Sequence, residues 1–236
     1  MKKVIVTGGS RGIGAEIVRR FAENGDAVAF VYRSDDSAAN ALAEKTGATP
    51  IKADVSVAEQ AAAAVARAID ALSGVDVLVN CAGIAQIKLF LDLTDEDWRK
   101  MIDTDLSGAF YCSRAVARKM VCAHSGKIIN IGSVWGRVGA SCEVHYSAAK
   151  SGLRGMTQAL AKELGPSGIT VNCVEPGVID TEMNGALDEK TKAELCEETP
   201  IGRMGTVTDV ADAVLFLASA DFITGQCLGV DGGFGL

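Results

Sequence analysis

Three residues carry the most legible chemistry in this chain: Ser133, Tyr146 and Lys150. Tyr146 and Lys150 are four residues apart in an Ala- and Leu-rich segment, which puts both on one helix face about a turn from each other. An ammonium beside a phenol favours the phenolate, so the pair predicts a tyrosine with a lowered pKa that exchanges a proton near neutral pH. Ser133 closes the apolar run that begins at Lys127, thirteen residues before Tyr146. Two hydroxyls converging on one point suit a carbonyl oxygen that gains charge as a hydride arrives. Tyr-x-x-x-Lys alone also occurs on solvated surface helices, so the elements that position it must decide.

The first of these elements opens the chain. Residues 4–7 form a short apolar run ending in Thr7-Gly8-Gly9-Ser10-Arg11-Gly12-Ile13-Gly14, and residues 15–22 have helical spacing. Strand, glycine turn and helix in that order are what a dinucleotide-binding loop requires. Gly8 permits the tight turn, Gly12 lets the backbone approach a pyrophosphate, and Gly14 lets helix and strand pack closely. The second strand, residues 27–32, ends in Tyr32-Arg33 where an NAD site places an acid. Arg33 and Arg11 are either ordinary surface charge or partners for a 2′-phosphate, and the second reading predicts NADP(H) over NAD(H). Asp35 and Asp36 fit the first turn of the next helix.

Further strands are expected at residues 50–55, 75–80, 127–133, 169–174 and 225–231. Helices are expected at 38–46, 57–72, 146–164 and 207–218, with two helical segments in 98–120 broken near Leu106-Ser107-Gly108. Seven strands alternating with helices predict an α/β fold, a Rossmann-type doubly wound parallel sheet with helices on both faces. Strand ends at Asp54-Val55, Asn80-Cys81-Ala82-Gly83 and Pro176-Gly177 fall on the edge where such sheets bind ligands. Residues 182–206 have few β signals and are expected to form a substrate lid within a single domain spanning residues 1–236.

With 236 residues, 48% of them hydrophobic, the chain can bury a large core. A formal charge of −7 argues against nucleic acid as a partner, and no apolar run approaches membrane-spanning length. Seven scattered cysteines without a Cys-x-x-Cys motif read as reduced residues of a cytoplasmic protein. The start at Met1-Lys2-Lys3 enters a strand pattern at once, leaving no room for a leader. His124 and His145, the only histidines, lack ligand-like neighbours, so no metal site is expected.

Together these motifs resemble the short-chain dehydrogenase/reductase family over nearly the whole length. The glycine motif falls on Thr7 to Gly14, the Asn-Asn-Ala-Gly motif on Asn80 to Gly83, and the serine, tyrosine and lysine on Ser133, Tyr146 and Lys150. The Pro-Gly loop falls on Pro176 and Gly177, with Ile179 and Thr181 where the family meets the nicotinamide carboxamide. The closing run, Thr199 to Gly205, Phe216 to Ser219 and Ile223 through Gly233, is similar to bacterial 3-oxoacyl-acyl-carrier-protein reductases. The resemblance implies an NADPH-dependent ketone reductase of fatty-acid synthesis and a homotetramer built through two long central helices and the C-terminal strand.

Two departures qualify it. The family's active-site asparagine is replaced by Asp105 in Thr104-Asp105-Leu106, either facing Lys150 and offsetting its field or turned away. Facing Lys150, it predicts an alkaline-shifted rate profile. Glu143, three residues before Tyr146, either lines the substrate cleft or caps the helix. In the cleft it would suit a cationic or hydrogen-bonding substrate. The run Trp135 to Glu143 is also similar to reductases of a 5-aminopentanone group on elongation factor P, which forms the alternative substrate reading. A non-catalytic NADP(H)-binding sensor is the alternative of another class, made conceivable by Asp105.

Overall fold

The computed structural model describes residues 1–182, 185 and 188–236. Seven strands, β1 (Lys3–Thr7), β2 (Ala27–Tyr32), β3 (Thr49–Lys52), β4 (Val77–Asn80), β5 (Gly126–Ile131), β6 (Ile169–Pro176) and β7 (Cys227–Val230), form one parallel sheet in the order β3-β2-β1-β4-β5-β6-β7. The helices are α1 (Gly12–Glu23), α2 (Asp36–Thr46), α3 (Ala58–Leu72), α4 (Asp95–Ile102), α5 (Gly108–Ala123), α6 (Trp135–Val138), α7 (Val144–Leu164), α8 (Glu189–Glu198) and α9 (Val207–Ser219).

Central strands covered on both faces read as continuous apolar runs, and Val4, Ile5 and Val6 are wholly buried. Alternate residues point to opposite faces. Val4, Val6 and Val79 meet the side chains of α1 and α9, whereas Ile5, Leu78 and Ile128 meet those of α3 and α5. The strand order reverses between β1 and β4, so their C-terminal ends, Thr7 and Asn80, bound the crevice where a doubly wound sheet binds its ligand. The doubly wound architecture expected from the sequence is the one observed.

Two departures from expectation bear on the site. Strand β3 stops at Lys52, because Asp54 folds back: its Oδ1 accepts hydrogen bonds from the Ser56 N–H (3.0 Å) and Oγ (2.7 Å). The break expected near Leu106-Ser107-Gly108 does not occur. Instead a π-helical segment, Asp103–Ser107, joins α4 to α5 without interruption. Gly108 serves packing there: a Cβ would lie 3.1 Å from both Cγ2 and the carbonyl oxygen of Val55. In the stretch 182–206, α8 is helical and its far end returns to the sheet edge, where the Asp180 N–H donates to the Gly205 carbonyl and the Gly205 N–H to that of Val178, each at 2.9 Å. Residues 183, 184, 186 and 187 of the expected lid lie outside the described residues. Among the described residues no helix is long and apolar enough to cross a membrane.

Candidate active site

Helix α7 places Tyr146 and Lys150 on the face turned toward the ends of β4 and β5, and Ser133 follows the end of β5. The Trp135 N–H donates to Ser133 Oγ at 3.2 Å, occupying an acceptor position and leaving the Ser133 O–H free to donate. That hydroxyl stands close enough to the Tyr146 phenol to favour its ionised form. The Lys150 ammonium lies 5.4 Å from the centre of the Tyr146 ring and donates to the Ile131 carbonyl at 3.1 Å. Serine, tyrosine and lysine therefore meet as the spacing predicts.

Asp105 meets them too. The π segment turns its carboxylate inward, where Oδ1 accepts the Ile84 N–H at 2.9 Å and Oδ2 lies 3.1 Å from Lys150 Nζ. The second contact is an ion pair whose alignment falls short of a hydrogen bond, and both side chains are buried. Extra-wide helical turns recur at functional sites because they re-aim one side chain without breaking the helix. Gly83 is the complement: a Cβ there would lie 2.7 Å from Asp105 Oδ2.

The lowered tyrosine pKa predicted from the sequence is overturned. Burial raises the pKa of Tyr146, and Asp105 and Glu143 add to the rise, so the lowering by Lys150 and Ser133 is outweighed. Burial likewise pushes Asp105 up against the pull of Lys150. For Lys150 burial opposes the ammonium, but Asp105 and Tyr146 more than offset it and the lysine pKa is raised. The pair thus holds its proton to more alkaline pH.

Glu143 is the N-cap residue of α7, yet its carboxylate makes no side-chain capping bond. It is half-buried, burial raises its pKa, and it lies close enough to Tyr146 to disfavour the phenolate.

The glycine loop fits a dinucleotide. Gly8 has φ +67° and presses against the Asn80-to-Gly83 loop, where a Cβ would meet the Ala82 Cα at 2.7 Å. At Gly12, by contrast, a Cβ would meet only Thr181 Cγ2, at 4.0 Å, so backbone is bared to the crevice. Helix α1 starts there with no side chain capping its first amides and no acid in its first turn. Ser10 lies in the turn ahead of it, and Ile13 packs on the core under the loop. Arg11 is exposed and pairs loosely with Glu182 at 3.9 Å. Arg33 is exposed and makes no ion pair among the described residues, while neighbouring Asp36 is held by the Tyr32 hydroxyl (2.9 Å) and Lys52 (2.7 Å).

Several expected contacts are engaged inside the protein. Thr7 Oγ1 accepts the N–H groups of Cys81 and Ala82, both at 3.1 Å, tying β1 to the loop after β4. Asn80 Nδ2 donates to Ser113 Oγ (3.0 Å) and Asn130 Oδ1 (2.9 Å), and Asn130 donates to Thr157 Oγ1 (2.9 Å), linking β4, β5, α5 and α7. Asp54 is held by its own turn and Val55 is buried beneath Gly108. On the far side of the crevice the Pro176 carbonyl accepts the Val134 N–H at 2.9 Å, Gly177 abuts Asp231, Ile179 is buried, and Thr181 flanks the glycine loop.

A second polar chain escaped the sequence reading. Gln86 Nε2 donates to Asp97 Oδ1 at 2.9 Å, which turns Gln86 Oε1 toward His145 Nε2 at 3.0 Å; Lys88 pairs with the other Asp97 oxygen at 2.7 Å. These residues come from three elements, so no local spacing announces them.

A family profile described as Enoyl-(Acyl carrier protein) reductase matches residues 8–235. The chain belongs to the short-chain dehydrogenase/reductase family. It is 43% identical over 239 residues to the 3-oxoacyl-[acyl-carrier-protein] reductase of Chlamydia muridarum, covering 98% of this chain and 96% of that protein. To the protein of the same name from Staphylococcus aureus it is 39% identical, with 98% and 97% covered. Among solved structures, the 3-oxoacyl-[acyl-carrier protein] reductase of Brucella melitensis superposes with a TM-score of 0.93 at 35% identity, over 100% of this chain and 91% of that one. A dehydrogenase/reductase of Sinorhizobium meliloti gives 0.93 at 37% identity, over 100% and 95%. This short-chain dehydrogenase/reductase is thus of a family of nicotinamide-dependent oxidoreductases, and its Asp105 pairs directly with Lys150.

Proposed function

We propose that the protein is an NADPH-dependent reductase of 3-oxoacyl groups carried on acyl carrier protein, working in the cytoplasm as a homotetramer. The observation that carries the reading is the meeting of Ser133, Tyr146 and Lys150 at the sheet edge beside a glycine loop, in a chain similar over its length to 3-oxoacyl reductases.

Bound NADPH supplies the hydride. Gly8, Gly12 and the open start of α1 would hold its pyrophosphate, Arg33 and Arg11 its 2′-phosphate, and the segment from Pro176 to Thr181 its nicotinamide side. Ser133 donates a hydrogen bond to the ketone oxygen, using the O–H that the Trp135 amide leaves free. Tyr146 gives its proton to the same oxygen as charge develops there. Its raised pKa keeps the phenol protonated, which suits an acid in the reductive direction. Lys150, fixed by Ile131 and Asp105, has a donor left for the nicotinamide ribose. Asp105 positions Lys150 and offsets its charge. In the stretch 182–206, the described residues 188–206 serve as the substrate lid of the single domain.

The tetramer reading is supported by exposed apolar side chains on the elements the family uses for assembly: Trp98 on α4, Phe110 on α5 and Leu228 on edge strand β7. The cytoplasmic reading rests on seven free cysteines.

The elongation-factor reading is favoured by Glu143, whose uncapped carboxylate faces the Tyr146 region. NADPH oxidation with a short acetoacetyl thioester and with a simple aminoketone, in wild type and Glu143→Gln, separates the two. The 3-oxoacyl reading predicts preference for the thioester, unaffected by the glutamine. Preference for the aminoketone, lost in Glu143→Gln, contradicts it.

A further inference from the structure

The β6–β7 register sets Cys173 directly opposite Cys227, fifty-four positions later, so no spacing in the sequence reveals the pair. Glu175, two residues on along β6, points to the same face, and the two sulfurs and a Glu175 oxygen lie within 4.8 Å of one another. Cys173 and Glu175 are buried and Cys227 is half-buried, so within a single chain the cluster is reached from outside through Cys227. None of the three belongs to the hydride-transfer site. We propose that Cys173, Cys227 and Glu175 bind one thiophilic divalent cation of the Zn2+ class.

Two thiolates with a carboxylate are a donor set selective for such ions, and tetrahedral sites with bonds near 2.3 Å keep ligand atoms about 3.7 Å apart, so the cluster needs only a small closure. Charge agrees. Two thiolates and a carboxylate carry three negative charges, and the Arg154 guanidinium paired with Glu175 returns one, so a divalent cation brings the buried cluster to neutrality. The Cys173 thiol itself donates only a long contact to the Val174 carbonyl, at 3.7 Å. On binding, the cation replaces the thiol protons, which leave to solvent, so affinity rises with pH.

The cluster also touches the reductase site. At Gly132, the residue before Ser133, a Cβ would lie 2.7 Å from Cys173 Sγ and 3.2 Å from Glu175 Cγ, and the Gly132 N–H donates to the Val174 carbonyl at 2.7 Å. Drawing Cys173 and Glu175 onto a cation shifts the surface on which Ser133 rests, so occupation slows ketone reduction.

The test is titration of the full, phosphine-reduced protein with Cd2+ alone, followed through the thiolate-to-metal absorption, then displacement by Zn2+. The expected result is one Cd2+ per chain, with Zn2+ slowing ketone reduction and a chelator restoring it. Cys227→Ser, on an edge strand, weakens Cd2+ binding about tenfold or more and removes the inhibition, whereas Cys122→Ser, at an exposed position of α5, changes neither. An undiminished Cd2+ signal in Cys227→Ser, or its loss in Cys122→Ser, overturns the proposal; Cys227→Ala serves as second variant if the serine fails to fold.

Discussion

Beside Lys150 alone a phenol ionises more readily, but at Tyr146 burial and the Asp105 carboxylate act the other way and the pKa is raised. The sign decides what each direction of reaction needs. On the proposed mechanism, ketone reduction would use the protonated phenol and persist until pH rises through the raised pKa. Alcohol oxidation with the oxidised cofactor would use the phenolate and accelerate only as that pKa is passed. Asp105→Asn keeps the oxygen that accepts the Ile84 amide and removes the charge, so the rising limb of the oxidation profile moves about one pH unit toward neutral. An unmoved profile means Asp105 does not act on Tyr146. Arg33 is the other residue-scale determinant. An exposed guanidinium without an ion pair among the described residues suits a 2′-phosphate, so Arg33→Asp lowers the NADPH-over-NADH ratio of kcat/KM by about tenfold or more. A ratio equal to wild type leaves Arg33 as plain surface charge.

At the scale of elements, helix α7, which carries Tyr146 and Lys150, is held from two sides. Asn130 and Thr157 tie it to β5, and His145, Gln86 and Asp97 tie its start to α4. Helix α4 opens with a capping box in which the Thr94 hydroxyl accepts the Asp97 N–H and Asp97 accepts the Thr94 N–H, so one aspartate both starts the helix and anchors Lys88 and Gln86. Thr94→Ala costs about 1 kcal/mol, a fall in Tm of about 2–4 °C by thermal denaturation. An unchanged Tm means the cap does not hold α4. This scale also marks the limit of sequence reading. Tyr146 and Lys150 share a helix and the glycines share a loop, so local spacing exposes them. The π segment gives no such signal: Leu106-Ser107-Gly108 reads as a helix break, while the close approach of Val55 to Gly108 is a tertiary fact. The pKa of Tyr146 departs from the sequence expectation for the same reason, since a charge pair is visible in sequence and desolvation is not.

For the whole molecule, alternating strands and helices announce a doubly wound sheet because strands buried on both faces must be apolar throughout. The reversal between β1 and β4 then brings the glycine loop, Gly83, Ser133 and α7 to one edge although they lie far apart in the chain. The same pairing sets Cys173 against Cys227, a juxtaposition with no sequence signature. That edge also separates an enzyme from a cofactor-binding sensor, since a sensor needs the glycine loop but not the tyrosine hydroxyl. The most direct measurement is therefore NADPH oxidation by an acetoacetyl thioester in wild type and Tyr146→Phe, with NADPH binding followed by fluorescence on the same samples. A catalytic Tyr146 predicts turnover in wild type and at least a ~100-fold loss in the phenylalanine variant, with NADPH affinity kept. Turnover undiminished by the substitution, or a wild type that binds NADPH and reduces no ketone, contradicts it.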